Sequence, residues 1–357
     1  MSSAVLSHRE RVALALSGQD TDRVPIAMVC SGINAPARQD LTTYLAAHHN
    51  TSVDAFLEPL VDVRAVQPQF TGPPLAPRTC IWGVVREPVS YGTGHYNEIA
   101  RYPLAEAEDI GDLDQHSWPS PDWYDYDGLP AQIAQLRAAG DHCLMAANGN
   151  IFETTWYMRG FEQTFMDLVL DPEFTHAIME RVCAFYEAFF DRVLGAAQGE
   201  IDLVFTADDI GGQGGLLMSL DMWEEHIKPY HVRLNRCIHS HGARVIYHSD
   251  GAVMDAVPGL VDMGIDLLQA LQFDAAGMDP VSLKAGFGDM IGFEGGISVQ
   301  HTLPFGSVED VRQEVVERIQ VLGAGGGYIL GPSHAIQAGT PPENIVAMFD
   351  QAASCRR

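Results

Sequence analysis

The chain has 357 residues, 46% of them hydrophobic, which is enough for a large core and falls in the size range of one α/β barrel with insertions. Its formal charge of −26, from 21 basic and 47 acidic residues, argues against nucleic acid or an anionic membrane as a partner, because both require a basic surface. Six cysteines without a CxxC pair, and no apolar signal segment or membrane span, predict a cytoplasmic protein with reduced thiols. We expect a single domain over residues 1–357.

Short β-rich apolar runs alternate with helical patterns from Arg23 onward, which is typical of a parallel sheet with crossover helices. Seven strands are predicted near residues 24–29, 144–147, 202–205, 244–247, 266–270, 290–293 and 328–330. An eighth is predicted near residues 57–63. This pattern predicts an α/β fold of the (β/α)8 TIM-barrel type.

Capping residues mark several of the helices between these strands. Asp171-Pro172 predicts a helix that runs to about Gly195, while Ser307-x-x-Asp310 and residues 340–343 have the pattern of capping boxes. A further helix, predicted over residues 222–241, contains Pro229 and is therefore expected to be kinked or split there.

One N-terminal segment exceeds what a minimal barrel needs. Residues 66–102 contain a proline-rich stretch followed by two alternating segments, at 79–85 and 95–102, which predict an N-terminal β-hairpin insertion. We expect this hairpin to cross the barrel mouth, either as decoration or as a lid over the substrate.

Polar side chains recur at the same end of the predicted strands. In a parallel barrel this end builds the active site, whereas the strand interiors supply packing. The candidate residues at or shortly after these strand ends are Asn148, Asn150, Arg159, Asp208, Asp209, Gln213, Tyr247, His248, Asp250, Gln272, Glu294 and His334.

Several of these candidates have a structural interpretation as well as a functional one. Asp208 and Asp209 could cap the next helix, or they could act as an acid/base pair, since adjacent carboxylates tend to split their pKa values. Asn148 and Asn150 are either turn residues or substrate ligands. The glycine-rich segment 211–215 lacks a GxGxxG motif and a P-loop lysine, so nucleotide binding is not predicted.

His248 and Asp250 are the strongest candidates for catalysis. Their two-residue spacing after a strand directs both side chains to the same side, away from Ser249. With the distant His334 they form a nitrogen and oxygen donor set that suits Zn²⁺, with an open position for water or substrate. An acid/base pair without metal, or a structural histidine, remains the alternative.

Five segments carry a resemblance to a known family. Residues 22–25 (DRVP), 247–251 (YHSDG), 294–297 (EGGI), 331–336 (GPSHAI) and 340–345 (TPPENI) resemble the uroporphyrinogen decarboxylase superfamily over nearly the whole chain. The resemblance looks closest to its methyltransferase branch, which transfers methyl groups to or from corrinoids. It implies a barrel fold and, in many methyltransferase members, a catalytic zinc.

The sequence also departs from that family in two places. Thiol-methylating members carry a His-x-Cys motif and a distant cysteine as zinc ligands, and the matching positions here are His248, Asp250 and His334. An oxygen and nitrogen set would activate a thiolate less well. The arginine-rich segment with which true decarboxylases bind their substrate has no counterpart in residues 28–34, so a strongly anionic tetrapyrrole is not the expected substrate.

The leading hypothesis is a methyltransferase or demethylase that moves a methyl group from a small methylated metabolite, such as a methyl ether or methylamine, to a corrinoid carried by a partner protein. His248, Asp250 and His334 would hold zinc, and Asp208 or Asp209 would exchange a proton. The expected substrate-binding residues are Asn148, Asn150, Arg159, Gln213, Tyr247, Gln272 and Glu294. Assembly as a homodimer is left open.

Two other classes of function compete with this hypothesis. One is a decarboxylase that acts without metal on a small carboxylated substrate, as the resemblance to a decarboxylase superfamily allows. The other is a non-catalytic binding barrel.

Overall fold

A computed structural model describes residues 6–30, 32–90, 92 and 94–355 of the chain. The strands are β1 (Val63–Ala65), β2 (Gln69–Phe70), β3 (Val85–Ser90), β4 (His95–Arg101), β5 (Tyr124–Asp125), β6 (Cys143–Asn150), β7 (Leu203–Ala207), β8 (Gly211–Gly212), β9 (Gly215–Leu216), β10 (Arg244–His248), β11 (Leu267–Gln269), β12 (Gly292–Ile297) and β13 (Tyr328–Pro332).

Fourteen α-helices are found in the described part of the chain. They are α1 (His8–Leu16), α2 (Ala35–His48), α3 (Val53–Leu57), α4 (Leu129–Ala139), α5 (Phe152–Arg159), α6 (Phe161–Leu170), α7 (Pro172–Ala197), α8 (Leu220–His226), α9 (Lys228–Ser240), α10 (Val257–Asp262), α11 (Pro280–Phe287), α12 (Thr302–Phe305), α13 (Val308–Leu322) and α14 (Pro342–Ser354). Short 3₁₀ helices lie at Asp112–Gln115, Pro121–Trp123 and Met254–Ala256. None of the described helices is both long and apolar enough to span a membrane.

Seven strands form one curled parallel sheet in the order β1-β6-β7-β10-β11-β12-β13. The segment before α2 joins its two edges. Ala27 N donates to Leu330 O at 2.9 Å on the β13 side, and Asp62 N donates to Ile26 O at 2.7 Å on the β1 side. The backbone hydrogen bonds thus continue around the sheet, and the predicted TIM-type barrel is confirmed.

Alternate residues of the strands face the barrel interior because successive Cβ atoms of a strand point to opposite faces. Ala27, Met145, Phe205, Ile246 and Ile329 belong to a small apolar cluster inside the barrel. The larger core lies between the strands and the surrounding helices. The interior side chains therefore fill the barrel and leave its strand ends to carry polar groups.

A buried ion network anchors the start of the barrel. The Asp62 carboxylate accepts hydrogen bonds from Arg23 Nη1 at 2.7 Å, Arg11 Nη1 at 2.6 Å and Ile26 N at 2.7 Å. Burial alone would raise the pKa of Asp62, but the hydrogen bond to His8 and the charges of Arg23 and Arg11 outweigh burial and hold that pKa below its ordinary value. This network ties α1, the segment at Ile26 and the start of β1 together.

Predicted elements differ from the structure in three places. No strand is formed at residues 24–29, where Ile26 makes an isolated parallel bridge to Leu330. The strand predicted near residues 57–63 is wrong over most of its length, because α3 ends at Leu57 and β1 begins only at Val63. The predicted capping box at residues 340–343 is also wrong, since Pro341 is the N-cap of α14 and has no side-chain acceptor.

Other predicted boundaries are confirmed. The Ser307 capping box is formed in full, and α8 and α9 are separated at Ile227, close to Pro229. The long helix after Asp171 runs to Ala197, and Asp171 accepts a hydrogen bond from Phe174 N.

The insertion before α4 contains an antiparallel strand pair, β3 with β4. Its first strand begins at Val85, where the predicted segment 79–85 ended, and Thr79 contributes an isolated antiparallel bridge to Val85. Tyr96 of β4 lines a cavity together with His334 and Asp250. The strand pair thus approaches the carboxyl ends of the barrel strands.

Candidate functional site

His248 occupies the last position of β10, where its side chain points into the barrel and is only 5% exposed. Its Nδ1 faces Gln269 Oε1 across the β10–β11 pair, and Gln269 Nε2 donates to Ser333 O at 3.4 Å. Because the amide NH₂ of Gln269 is directed to Ser333, its oxygen accepts from His248 Nδ1–H. The Nε2 atom of the neutral imidazole therefore carries the free lone pair.

Two carboxylates and a second imidazole surround that nitrogen. His248 Nε2 lies 3.5 Å from Asp209 Oδ1 and 3.9 Å from Asp250 Oδ1, while His334 Nε2 lies 3.8 Å from Asp250 Oδ2. Asp250 N donates to Asp209 Oδ1 at 2.8 Å, which fixes the two acidic residues relative to each other. The structure thus brings Asp209, His248, Asp250 and His334 together, as the positions of these residues after the strands predicted.

Cys30 is a member of this site that the sequence analysis missed. Its Sγ, His248 and His334 offer ligand atoms that all lie within 4.8 Å of one another, and Asp209, His248 and Asp250 form a second such group. Cys30 follows the predicted strand 24–29, so the same rule that selected His248 would have selected it. His248 belongs to both groups and is the centre of the site.

The geometry of these donors fits a divalent metal ion. Tetrahedral ligands at about 2.0–2.3 Å from zinc are separated from one another by about 3.3–3.8 Å. The separations of 3.5 Å for His248–Asp209, 3.8 Å for His334–Asp250 and 3.9 Å for His248–Asp250 lie in or close to that range. The ligand atoms of Cys30, His248 and His334 lie within 4.8 Å of one another. Sulfur, imidazole and carboxylate are also the donor types that zinc prefers, and Nε2 of His248 faces the two carboxylates.

The electrostatics of the carboxylates also favour a cation. Burial raises the pKa of Asp250, and the negative charge of Asp209 adds to that rise, while His248 and His334 oppose it. Two carboxylates held this close repel each other, and a bound cation relieves that repulsion. A cavity of about 400 Å³, lined by Tyr96, Asp250, Gln272 and His334 among others, leads to the site.

Glu153, at the start of α5, is a second functional candidate that the predicted set lacks. Burial, followed by the negative charges of Asp209 and Asp208, raises its pKa to about 8, although hydrogen bonds from Tyr157 and Asn150 work in the opposite direction. Tyr157 OH donates to Glu153 Oε1 at 2.8 Å, and Asn150 Nδ2 donates to Oε2. At neutral pH Glu153 is therefore a protonated acid beside Asp209.

Glu294 lies deeper in the barrel, next to Gln269. It is fully buried, and neither carboxyl oxygen has a hydrogen-bond partner among the described residues. Burial raises the pKa of Glu294 well above its ordinary value. It supports the interior layer beneath His248 and lies away from the cavity that leads to the site.

Asp208 and Tyr247 occupy structural positions. The Asp208 carboxylate is fully buried and accepts hydrogen bonds from Phe152 N at 2.9 Å, Glu153 N at 2.7 Å and His231 Nε2. Tyr247 is buried outside the barrel wall, because its neighbour His248 points inward, and its OH contacts Asp208 O at 3.3 Å. Both residues were predicted to lie in the site, but neither side chain reaches it.

Arg159 and Gln213 also lie apart from the cluster. Arg159 Nε donates to Asp167 at 2.8 Å, and its Nη1 donates to the carbonyls of Leu104 and Ala107. Gln213 is exposed in the loop between β8 and β9. Substrate binding by these two residues stays a prediction.

The remaining predicted residues lie at the rim of the site. Gln272 Oε1 accepts from Gly251 N at 2.8 Å and lines the cavity with Asp250. Asn148 and Asn150 line a separate cavity beneath the insertion. Asn148 has φ of +80° within β6, where the register shifts between Ala146 and Gly149. Its role as a substrate ligand stays a prediction.

Comparison with solved structures places the whole fold beside a methyltransferase from Methanosarcina mazei, with a TM-score of 0.65 and 17% sequence identity over 97% of this chain and 98% of that one. A 3-keto-D-glucoside 4-epimerase from E. coli is less similar, with a TM-score of 0.39 and 14% identity over 71% of this chain and 94% of that one. No curated protein matches the chain by sequence. Residues 88–355 match the uroporphyrinogen decarboxylase (URO-D) family, and the chain belongs to that family.

Proposed function

We propose that the protein is a metal-assisted methyltransferase that moves a methyl group from a small methylated metabolite to a corrinoid acceptor carried by a partner protein. The observation that carries the proposal is that His248 belongs to two groups of possible metal ligands, one with Cys30 and His334 and one with Asp209 and Asp250. Membership of the URO-D family and the fold shared with a methyltransferase support it.

Cys30, His248 and His334 would hold the metal, with Asp209 and Asp250 beside it. We take zinc as the ion because the donor set mixes thiolate and imidazole. When bound, the ion supplies Lewis acidity to the heteroatom that carries the methyl group. Gln269 keeps His248 in the tautomer that this role requires.

Loss of the methyl group requires a proton at the leaving heteroatom. The bond between the methyl carbon and the heteroatom would break with its electron pair left on the heteroatom, and a reduced corrinoid on the partner protein would be the acceptor of the methyl group. Glu153 holds a proton at neutral pH and lies beside Asp209. We assign Glu153 as the proton donor, in place of Asp208, whose oxygens are occupied by backbone donors and His231.

The first experiment measures metal content and methyl transfer together. Protein purified without chelator is expected to contain one zinc per chain, to transfer methyl groups from methyl ethers or methylamines to reduced cobalamin, and to lose both properties in His248→Ala. Cys30→Ser should bind zinc about tenfold or more weakly. Cys237→Ser, which changes a half-buried cysteine on α9, is the matched control and should behave as wild type. Full activity of metal-free protein in chelator would exclude the metal-assisted mechanism.

A decarboxylase remains the second candidate, and Glu153 is the observation that favours it. A neutral carboxylic acid beside the cavity could protonate the carbanion left after loss of CO₂. Release of CO₂ from a small carboxylated substrate, unchanged by chelator and without methyl transfer, would favour this reaction.

A further inference from the structure

A second cavity, of about 560 Å³, lies between the insertion and the barrel mouth. Its volume is in the range of small-molecule sites, about 300–1,000 Å³. Six aromatic side chains contribute to its lining: Trp82, Tyr124, Tyr157, Phe185, Tyr186 and Phe189. We define this space as the aromatic cavity.

The aromatic walls are held in place by contacts among the rings. Trp82 and Phe185 meet edge to face with centroids 5.0 Å apart, and Tyr124 and Phe189 meet in the same way at 4.8 Å. Such pairs leave ring faces and edges in fixed orientations, which favours a flat aromatic ligand over a flexible aliphatic one.

Arg86, on β3, is the one charged side chain among the described residues that line the aromatic cavity. Its guanidinium lies 4.7 Å from the centroid of the Tyr157 ring. It has no salt bridge and no side-chain hydrogen bond within residues 6–30, 32–90, 92 and 94–355, although the chain carries 47 acidic residues. A half-buried guanidinium kept clear of carboxylates in so acidic a protein is suited to bind a carboxylate from outside.

The aromatic cavity leads toward the proton donor of the candidate site. Asn150 and Tyr157 line it, and both donate hydrogen bonds to Glu153. Glu153 lies beside Asp209, which is 3.5 Å from His248 Nε2. Arg86 and Glu153 thus both contact Tyr157, which forms part of the wall of the aromatic cavity.

We propose that the aromatic cavity binds a planar aromatic carboxylate, with the carboxylate on Arg86, the ring between the aromatic walls and the methylated heteroatom toward Asn150 and Glu153. The assignment of a methylated heteroatom rests on the proposed function, whereas the assignment of a ring and a carboxylate rests on the lining of the aromatic cavity. The substrate class is then a methoxylated or N-methylated aromatic acid.

Isothermal titration calorimetry with unreactive and reactive probes tests the assignment. Benzoate and 4-methoxybenzoate should bind saturably to wild-type protein, and benzamide and acetate should bind about tenfold or more weakly, because each lacks either the charge or the ring. Arg86→Gln should weaken both benzoates by about tenfold to a hundredfold and leave benzamide unchanged. Arg86→Lys keeps the charge but not the planar guanidinium, and its affinity for both benzoates should lie between those of wild type and Arg86→Gln.

Arg101→Gln is the matched control, since Arg101 lies on β4 opposite Val85, is exposed, and carries the same charge outside the aromatic cavity. It should bind both benzoates as wild type does. Equal binding of benzoate to Arg86→Gln and wild type, equal binding of benzamide and benzoate, or no saturable binding of either benzoate would each overturn the proposal. Benzoate binding without any methyl transfer would instead uphold the cavity assignment and contradict the proposed function.

Discussion

At the scale of single residues, the ionisation of Glu153 follows from where its side chain is placed. An exposed glutamate has an ordinary pKa near 4.5, but burial and two neighbouring aspartates raise the pKa of this one to about 8. Nothing in the local sequence marks the change, because Asp208 and Asp209 come from a different strand. The same placement provides an acid that is protonated under physiological conditions.

Replacing Glu153 with glutamine should change how stability depends on pH. The folded protein binds this proton up to about pH 8 and the unfolded chain only up to about pH 4.5, so wild-type stability falls as pH rises between these values. From pH 5.5 to 8 the loss is about 3 kcal/mol, at about 1.36 kcal/mol per unit. Glu153→Gln should not show this loss of stability.

Urea denaturation of metal-free protein at pH 5.5 and pH 8.5 measures this effect. As pH rises, the free energy of unfolding of Glu153→Gln should increase relative to that of wild type. Glu162→Gln, on α6, is the control and should follow wild type at both pH values. A constant difference between Glu153→Gln and wild type across pH would contradict the raised pKa.

At the scale of elements, the start of α5 depends on a residue from the neighbouring strand. The N-cap of α5, Ile151, has no side-chain acceptor, and the carboxylate of Asp208 accepts from the first two helical N–H groups instead. A negative charge at a helix N-terminus is stabilising, and here His231 is its buried partner. Asp208 thereby positions Glu153 without contacting the cavity itself.

Asp208→Asn should therefore destabilise the protein strongly. One amide oxygen cannot replace two carboxylate oxygens, and His231 loses its buried partner, so the free energy of unfolding should fall by about 3–5 kcal/mol. Urea denaturation at pH 7 checks this value. Asp221→Asn, an exposed residue in the first turn of α8, should change stability by less than about 1 kcal/mol. Equal effects of the two variants would refute the anchoring role.

At the scale of the whole molecule, closure of the barrel depends on a close approach at Gly331. A Cβ atom at this position would lie 2.6 Å from Ala27 O and 2.6 Å from Glu294 Oε1. The missing side chain thus allows the segment at Ala27 to hydrogen-bond to β13 and leaves room for the buried Glu294 carboxyl. The interior layer beneath His248 is built around this gap.

Gly331→Ala and Gly286→Ala should have opposite effects on stability. The first forces the backbone at Ala27 or the Glu294 side chain to move, and should lower the free energy of unfolding by about 1–3 kcal/mol. The second has no neighbour within 4 Å of the added Cβ and lies in α11, where alanine is the better helix former, so it should be neutral or stabilising by up to about 1 kcal/mol. Thermal denaturation of both variants distinguishes these outcomes, and a stable Gly331→Ala protein would show that closure tolerates a side chain there.

Much of the site was predictable because the rule behind it is local. A side chain that follows a strand of a parallel barrel lies at its carboxyl end, and this selected Asp209, His248, Asp250 and His334 correctly as neighbours. The same rule also selected Gln213 and Tyr247, which lie apart from this cluster. Position after a strand does not say which way a loop residue turns, and the outward face of the barrel wall carries alternate residues of every strand.

The sequence by itself determined the barrel type and the end at which the polar groups collect, because hydrophobic periodicity and capping residues act over a few neighbouring positions. The tertiary structure alone decided that Cys30 joins His248, and that Asp208 anchors a helix while Glu153 holds a proton. It also decided that Arg86 lines an aromatic cavity, over the Tyr157 ring, without a carboxylate partner among the described residues. These properties depend on burial and on charges from distant parts of the chain, and such contacts exist only once the strands have closed around a common axis.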